Sequence, residues 1–282
     1  AVGVMLRVQQ DERERRIFYT SDTSTRSQAI IRGAEYPEGP IDTLLLETTL
    51  GADPDAELTT RKTEENAFGE AIKKTLARGG SALIPVFALG RGQEVVAMID
   101  RFKRRGLIDE NIPVYTVGLM RAISDIYDKT RFLSPRLDEE FQVYGVDQKR
   151  LPRSRQATMN ALGEQGLFVV GSGMMFERTA SNRLAQEMIG SERNSVLLVG
   201  YARDDSPARR LLDAKEASGG EETEVIIDGS TGPQILRADV ERFRFSGHAH
   251  RRDLLGLVDR MKPKHVILVH GEERARDWMA DN

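Results

Sequence analysis

The residues of this chain that could do chemistry are concentrated near its C-terminal end. All four histidines, His248, His250, His265 and His270, lie at or after position 248. Imidazole binds transition metals and transfers protons near neutral pH. The sequence has no cysteine, so thiolate ligands are excluded and a metal would be held by histidine, aspartate and glutamate. The clustering predicts a metal or proton-transfer site.

Two of these histidines are the stronger candidates. His270 follows a short apolar run and precedes a glycine, which places it at the C-terminal tip of a predicted buried strand. A strand tip can fix an imidazole for metal ligation, although a histidine that caps the next helix would give the same pattern. His248 stands between two small residues, so its ring is unobstructed and could bind a metal or act as a general acid.

The sequence positions of the other two histidines favour structural roles for them. His250 begins a predicted helix at 250–261, which it would cap, although at two residues from His248 it could share an ion with it. His265 begins the strand that ends at His270, so it lies at the opposite end and favours a structural or solvent role.

Two carboxylates also follow predicted strands. Asp22 comes after a strand at 16–20 and Glu47 after one at 42–46. Taken singly, Asp22 is also typical of a turn and Glu47 of a helix cap. In an α/β sheet, however, ligands collect outside the C-terminal ends of strands. We therefore expect Asp22, Glu47 and His270 to converge at one sheet edge.

Strands and helices alternate along the chain, which predicts the α/β fold class. Further predicted strands are 1–8, 81–86, 113–117, 166–170, 195–200, 224–227 and 265–269, and predicted helices lie around 68–76, 91–104, 122–129, 154–162, 178–189 and 207–212. The segment 131–152 has no clear period and is predicted to be irregular.

Glycine-rich segments after two predicted strands could bind phosphate through free backbone amides. The candidate contacts for a phosphate-rich ligand are Gly90, Arg91, Gly92, Ser172, Gly173 and Arg209. Glycine is also common after a strand simply because it forms turns, so each segment taken singly is weak evidence for a phosphate site.

Length, composition and net charge restrict the classes of protein to which this chain can belong. With 282 residues, 39% hydrophobic content and no long apolar run, the chain can build a substantial core but is not expected to enter a membrane. A net charge of −3 excludes a general attraction to nucleic acid, so any polyanion would need a local basic stripe. We expect a cytoplasmic location. Because the chain starts without Met inside a predicted strand, we interpret it as a segment of a longer protein.

Five short motifs, in order, resemble those of one family. They are residues 81–91 (SALIPVFALGR), 171–174 (GSGM), 199–201 (VGY), 245–248 (FSGH) and 268–272 (LVHGE). Together they are similar to the β-CASP branch of the metallo-β-lactamase fold, which includes RNase J and the nuclease subunit of the cleavage and polyadenylation specificity factor. The resemblance implies a lactamase-like αββα domain at 1–58 and 238–282, with a β-CASP domain of mainly parallel sheet inserted at 59–237.

The resemblance also implies roles for individual residues. Asp22 would bridge two zinc ions and His270 would bind metal, with manganese as the alternative ion. Glu47 would orient His248, and His248 would protonate the leaving group. Histidine at position 270 is typical of the RNA-acting members. The family usually has Gly where Ser21 stands and often aspartate where His250 stands.

The resemblance predicts a zinc-dependent RNA phosphodiester hydrolase, with RNA as its partner and a homodimer as a further possibility. The family's His-x-His-x-Asp-His ligand motif is not in this sequence and would lie upstream, so the chain as printed is expected to be inactive alone. Two alternatives stay open, namely an inactive scaffold for RNA or a nuclease, and a lactamase-fold hydrolase of a small ester or thioester. The large inserted domain argues against the second alternative.

Overall fold

Strands and helices alternate along most of the chain, as its sequence pattern predicts. A computed structural model describes residues 2–10, 12–219 and 221–282. The strands are β1 Val4–Gln10, β2 Arg13–Tyr19, β3 Thr43–Glu47, β4 Ala82–Pro85, β5 Val114–Thr116, β6 Lys149–Arg150, β7 Leu167–Val170, β8 Ser195–Leu198, β9 Thr223–Val225, β10 Gln234–Leu236, β11 Asp239–Arg242 and β12 His265–Val269. The α-helices are α1 Arg61–Ala77, α2 Arg91–Arg104, α3 Gly118–Lys129, α4 Arg155–Gly163, α5 Ala180–Met188, α6 Pro207–Ala217, α7 Arg251–Met261 and α8 Glu273–Asp281, with 3₁₀ turns at Pro54–Glu57 and Arg131–Leu133.

The sequence pattern fails for three short strands. β6 lies inside the segment predicted to be irregular, and β10 and β11 are not predicted at all. These three strands have two to four residues. Unlike the equally short but wholly buried β4, β7 and β8, they do not form a continuous apolar run that the sequence would reveal. Ala1, the first residue of the predicted first strand, lies outside the described residues. Within the described ranges, none of the helices has both the length and the apolar character that a membrane crossing requires.

One compact unit consists of the chain up to Thr60 together with Ser246–Asn282. Its sheet has the strand order β1-β2-β3-β12, in which β1 is antiparallel to β2 while β2, β3 and β12 run parallel. Its core joins Leu44 and Leu46 of β3 to Leu254 and Leu257 of α7. The expectation that β12 is buried is wrong, because β12 is an edge strand and its residue Ile267 is 49% exposed.

The second compact unit is Arg61–Phe245. Its six-stranded sheet has the order β11-β8-β4-β7-β5-β6 and every pairing in it is parallel. All residues of β4, β7 and β8 are buried, as expected for central strands of a parallel sheet that is covered on both faces.

The unit boundaries differ slightly from those expected at 58/59 and 237/238. The second unit extends to Phe245 because β11 pairs with β8 along its whole length. The α/β prediction is confirmed in both units.

Candidate metal centre

Three strand ends of the first unit meet at one edge of its sheet. Since β2, β3 and β12 are parallel neighbours, their C-terminal ends coincide. Val269 is paired with Glu47, so His270 emerges beside Thr48. Asp22 lies three residues beyond the end of β2. The expected convergence of strand ends is therefore present.

Asp22, His248 and His270 each offer one ligand atom, and the three atoms all lie within 4.8 Å of one another. His270 Nε2 is 3.4 Å from Asp22 Oδ1, and the two imidazole ring centroids are 5.8 Å apart. One carboxylate oxygen and two imidazole nitrogens are donors that zinc accepts. The described residues therefore fit the metal that the sequence predicts, with His248 as a third donor beside the two expected ligands.

Glu47 is the neighbour of His248 in this centre. The Nδ1 atom of His248 lies 3.1 Å from Glu47 Oε1 and 3.2 Å from Oε2. A carboxylate at Nδ1 fixes the orientation of the ring and leaves Nε2 as the nitrogen available for a metal or a proton.

The carboxylate of Glu47 is buried and held by two backbone amides. The amide of Thr23 donates to Oε1 at 3.2 Å and that of Thr49 to Oε2 at 3.0 Å. Burial opposes ionisation, but the hydrogen bond and charge of His248 and the bond from Thr49 outweigh it, so the pKa of Glu47 lies below its usual value. Glu47 is thus an anion prepared to hold an imidazolium.

The turn after β12 positions His270 through its backbone. His270 itself has φ of +53° and Gly271 has φ of +135°, a left-handed path that glycine tolerates best. Thr48 donates to the His270 carbonyl from both its amide and its hydroxyl, at 2.8 Å each. Sequence reasoning did not find Thr48, although the Leu-Glu-Thr-Thr segment places it directly after Glu47.

Ser21 has the kind of backbone conformation that glycine adopts most easily. It adopts φ of +53°, which costs a non-glycine residue about 1–2 kcal/mol. The turn carries the chain from β2 to Asp22, so this backbone conformation sets where the carboxylate lies.

His250 and His265 lie outside the three-residue cluster. His250 is the N-cap residue of α7, as predicted, but its side chain makes no capping hydrogen bond. Burial, followed by the nearby Arg26, lowers the pKa of His250. His265 is exposed at the far end of β12, consistent with the solvent role expected for it.

The predicted phosphate contacts lie in the second unit, where some of their backbone amides already donate hydrogen bonds within the protein. The amide of Gly90 donates to the Gln93 side chain at 2.8 Å, and that of Gly92 to the Phe87 carbonyl at 3.0 Å. Arg91 Nη1 is buried without a hydrogen-bond partner among the described residues. Burial, followed by the charge of Arg61, lowers the pKa of Arg91 to about 10.

The other predicted phosphate contacts also interact with nearby residues of the same unit. The Ser172 hydroxyl accepts from the Phe176 amide at 3.3 Å, and Arg209 Nε donates to Asp213 at 2.7 Å. Gly173 packs beside the Phe87 ring. Phosphate binding by any of these six residues stays a prediction.

Comparison with known proteins identifies the family to which this site belongs. Residues 92–211 match the model of the Beta-Casp domain, and residues 235–282 match a model described as the Zn-dependent metallo-hydrolase RNA specificity domain. The chain belongs to the β-CASP branch of the metallo-β-lactamase fold. The resemblance based on five motifs is confirmed, as is the fold class of a lactamase-like domain with a β-CASP insertion.

Curated relatives of this β-CASP chain include factors from archaea and eukaryotes. It is 29% identical over 277 residues to the transcription termination factor FttA of Methanothermobacter thermautotrophicus. It is 26% identical over 260 residues to the cleavage and polyadenylation specificity factor 73 of Drosophila melanogaster. These alignments cover 91% and 92% of the chain but only 41% and 36% of the relatives.

The matches support the coarser functional predictions. The description of the second family model names a metallo-hydrolase and RNA, so a metal cofactor and an RNA ligand are what the family implies. The number and identity of the ions, a homodimer and a cytoplasmic location stay predictions.

Proposed function

We propose that this β-CASP protein takes part in metal-dependent hydrolysis of RNA phosphodiester bonds. The observation that carries the proposal is the grouping of Asp22, His248 and His270 within 4.8 Å above a buried Glu47. The description of the matched RNA specificity domain supports RNA as the substrate class.

Asp22 and His270 are the proposed metal ligands from this chain. Zinc suits their donor chemistry, with manganese as the alternative, and two ions are proposed for the complete site. A bound ion would supply Lewis acidity and a nucleophilic water for attack on the phosphodiester. Gly90, Arg91, Gly92, Ser172, Gly173 and Arg209 remain proposed RNA contacts.

His248 is proposed to protonate the departing oxygen. Its Nδ1 is held by Glu47, so Nε2 is the atom that would carry the transferred proton. The carboxylate stabilises the protonated ring, which is the form that a general acid needs. The competing role for the same Nε2 is metal ligation, with Glu47 as the group that orients the ligand.

The proposal is tested by cleavage of a short single-stranded RNA with zinc or manganese. The full-length protein is the material, because the chain spans well under half of its relatives. We expect His270→Ala to abolish cleavage and His265→Ala, at the other end of β12, to leave it unchanged. An inert wild-type protein, or full activity in His270→Ala, would refute the proposal. Inertness combined with tight RNA binding would support the scaffold alternative, and cleavage of small esters instead of RNA would support the third.

The role of His248 is decided by measuring metal and turnover in the same variant. We expect His248→Gln to retain the wild-type metal content while kcat falls by about 10²-fold or more. A parallel loss of metal, measured by elemental analysis, would assign His248 as a ligand instead.

A further inference from the structure

Thr23, directly after Asp22, bonds through its backbone to two other segments of the candidate metal centre. Its amide donates to Glu47 Oε1 at 3.2 Å, and its carbonyl accepts from the amide of Ala249 at 2.6 Å. Glu47 holds the ring of His248, and Ala249 is the next residue after that histidine. The backbone of Thr23 therefore fixes His248 twice, at its ring through the carboxylate and at its main chain through Ala249.

The side chain of Thr23 is held in turn by Tyr36. Their hydroxyl oxygens lie 2.7 Å apart, and the chain between them is closed by a bond from the Ala34 amide to the Ser24 carbonyl at 2.7 Å. Thr23 is only 5% exposed, and a buried hydroxyl needs a hydrogen-bond partner of this kind. Burial, the largest influence, raises the pKa of Tyr36, so its hydroxyl stays uncharged at neutral pH. The pair restricts the rotamer of Thr23 and, with it, the movement of the Thr23 backbone.

Tyr36 is itself fixed against the core of the first unit. Its ring packs edge-on against Phe18 of β2, with the centroids 6.4 Å apart, and both residues belong to the same hydrophobic cluster. The guanidinium of Arg260, in α7, lies 5.3 Å from the centroid of the Tyr36 ring. The hydroxyl pair therefore connects the segment that carries Asp22 to two packed elements of this unit.

We propose that the hydroxyl pair of Thr23 and Tyr36 positions Glu47 and His248 for proton transfer. The inference rests on the proposed function for the reaction that these two groups serve. Small displacements of reacting groups reduce rates strongly, and the loss of a partner that orients a histidine typically costs about 10- to 100-fold. Thr23 and Tyr36 are thus positioning residues, which act through Glu47 and His248 and not on the substrate.

Removal of the Tyr36 hydroxyl tests this positioning in the full-length protein. We expect Tyr36→Phe, which keeps the ring against Phe18, to lower kcat for cleavage of a short RNA about tenfold, with KM and metal content unchanged. Thr23→Val should have the same effect, and Thr23→Ser, which retains a hydroxyl, should recover most of the lost kcat. The matched control is Tyr19→Phe, which removes a hydroxyl from a side chain that is 39% exposed at the end of β2 and should leave kcat unchanged.

Hydrogen exchange, measured by mass spectrometry on the same full-length proteins, gives a second result that needs no activity. The amides of Thr23 and Ala249 are both hydrogen-bonded, so peptides that contain them should exchange slowly in the wild type. In Tyr36→Phe we expect exchange of these two peptides to accelerate roughly five- to tenfold, as local opening becomes easier without the hydroxyl pair. Peptides from β3 residues 44–46, in the core of the same unit, should exchange at the wild-type rate.

The outcomes separate this inference from the proposed function. Wild-type kcat in Tyr36→Phe would overturn the inference while leaving RNA hydrolysis intact. Exchange that accelerates equally in β3 would also overturn it, because the hydroxyl pair would then only stabilise the fold. A wild-type protein that never cleaves RNA, but whose Tyr36→Phe variant shows the local acceleration, would refute the hydrolase proposal and keep the role of the pair in holding Glu47 and His248.

Discussion

At the residue scale, Glu47 is the group on which the candidate centre depends most. Its buried carboxylate joins the Thr23 amide, the Thr49 amide and the His248 ring. These partners come from three separate segments of the chain. A buried carboxylate without such partners would be strongly unfavourable, so the local fold and the proposed chemistry use the same contacts.

Replacing the Glu47 carboxylate by an amide removes the negative charge of the side chain but keeps its size and shape. In Glu47→Gln the side chain still fits, but the imidazolium of His248 loses its counter-charge. We expect kcat for RNA cleavage to fall by about 10²-fold with KM changed by less than about threefold. Steady-state kinetics measure both values, and a thermal melt monitors folding. An unchanged kcat would show that Glu47 is purely structural.

Gly271 should be intolerant of a side chain. A Cβ there would lie 2.5 Å from Thr48 Oγ1 and 3.0 Å from the Thr48 carbonyl, and φ of +135° is itself strained for other residues. We expect Gly271→Ala to lower the free energy of unfolding by about 1–3 kcal/mol and to weaken metal binding through displacement of His270.

Gly163→Ala is the matched control for this substitution. Gly163 has no atom within 4 Å of an added Cβ, so the variant should be close to neutral in urea denaturation and in metal titration. Equal stability of Gly271→Ala and Gly163→Ala would contradict the account of the turn.

At the element scale, the sequence predicted which side chains follow the strand ends, but not which residues those side chains contact. Apolar runs followed by Asp22, Glu47 and His270 were sufficient to place three side chains at one edge, because parallel strands share their C-terminal ends. The bond between Glu47 and His248 joins positions 201 residues apart, and no periodic pattern encodes such a contact. It was implied only by the family resemblance, and the part played by Thr48 not at all.

Asp42, directly before β3, is bonded to Lys264, directly before β12. This contact predicts that the stability of the fold depends on pH. Its carboxylate accepts from Lys264 Nζ at 2.6 Å and from the Arg16 amide at 2.9 Å, and these bonds lower its pKa from 3.8 to about 2. Because the folded-state pKa lies below the unfolded value, the stabilisation is complete above about pH 4 and is lost as the pH falls towards 2.

Asp42→Asn should therefore lower the urea midpoint at pH 7, and its difference from the wild type should shrink between about pH 4 and pH 2. Urea denaturation across that range measures the effect. A difference that stays constant with pH would mean that the ion pair with Lys264 does not stabilise the fold.

At the scale of the whole molecule, each compact unit has its own hydrophobic core. One buried cluster, which includes Leu83, Phe168 and Val196, lies entirely within Arg61–Phe245. Another, which includes Phe18 and Leu44, lies entirely within the unit formed by the two ends of the chain. Only the first of these cores is built from one continuous segment.

The continuous segment should fold when expressed alone. Residues 61–245 contain all six strands of the parallel sheet and the buried cluster that covers it, so excision removes no strand from that sheet. We expect a cooperative urea transition and a near-UV circular dichroism signal from the packed Tyr115 and Phe168 rings, whose centroids lie 4.9 Å apart. Ending the segment at residue 237 instead removes β11, so this shorter version should be clearly less stable. If both versions unfold without cooperativity, the core of this unit depends on the rest of the chain.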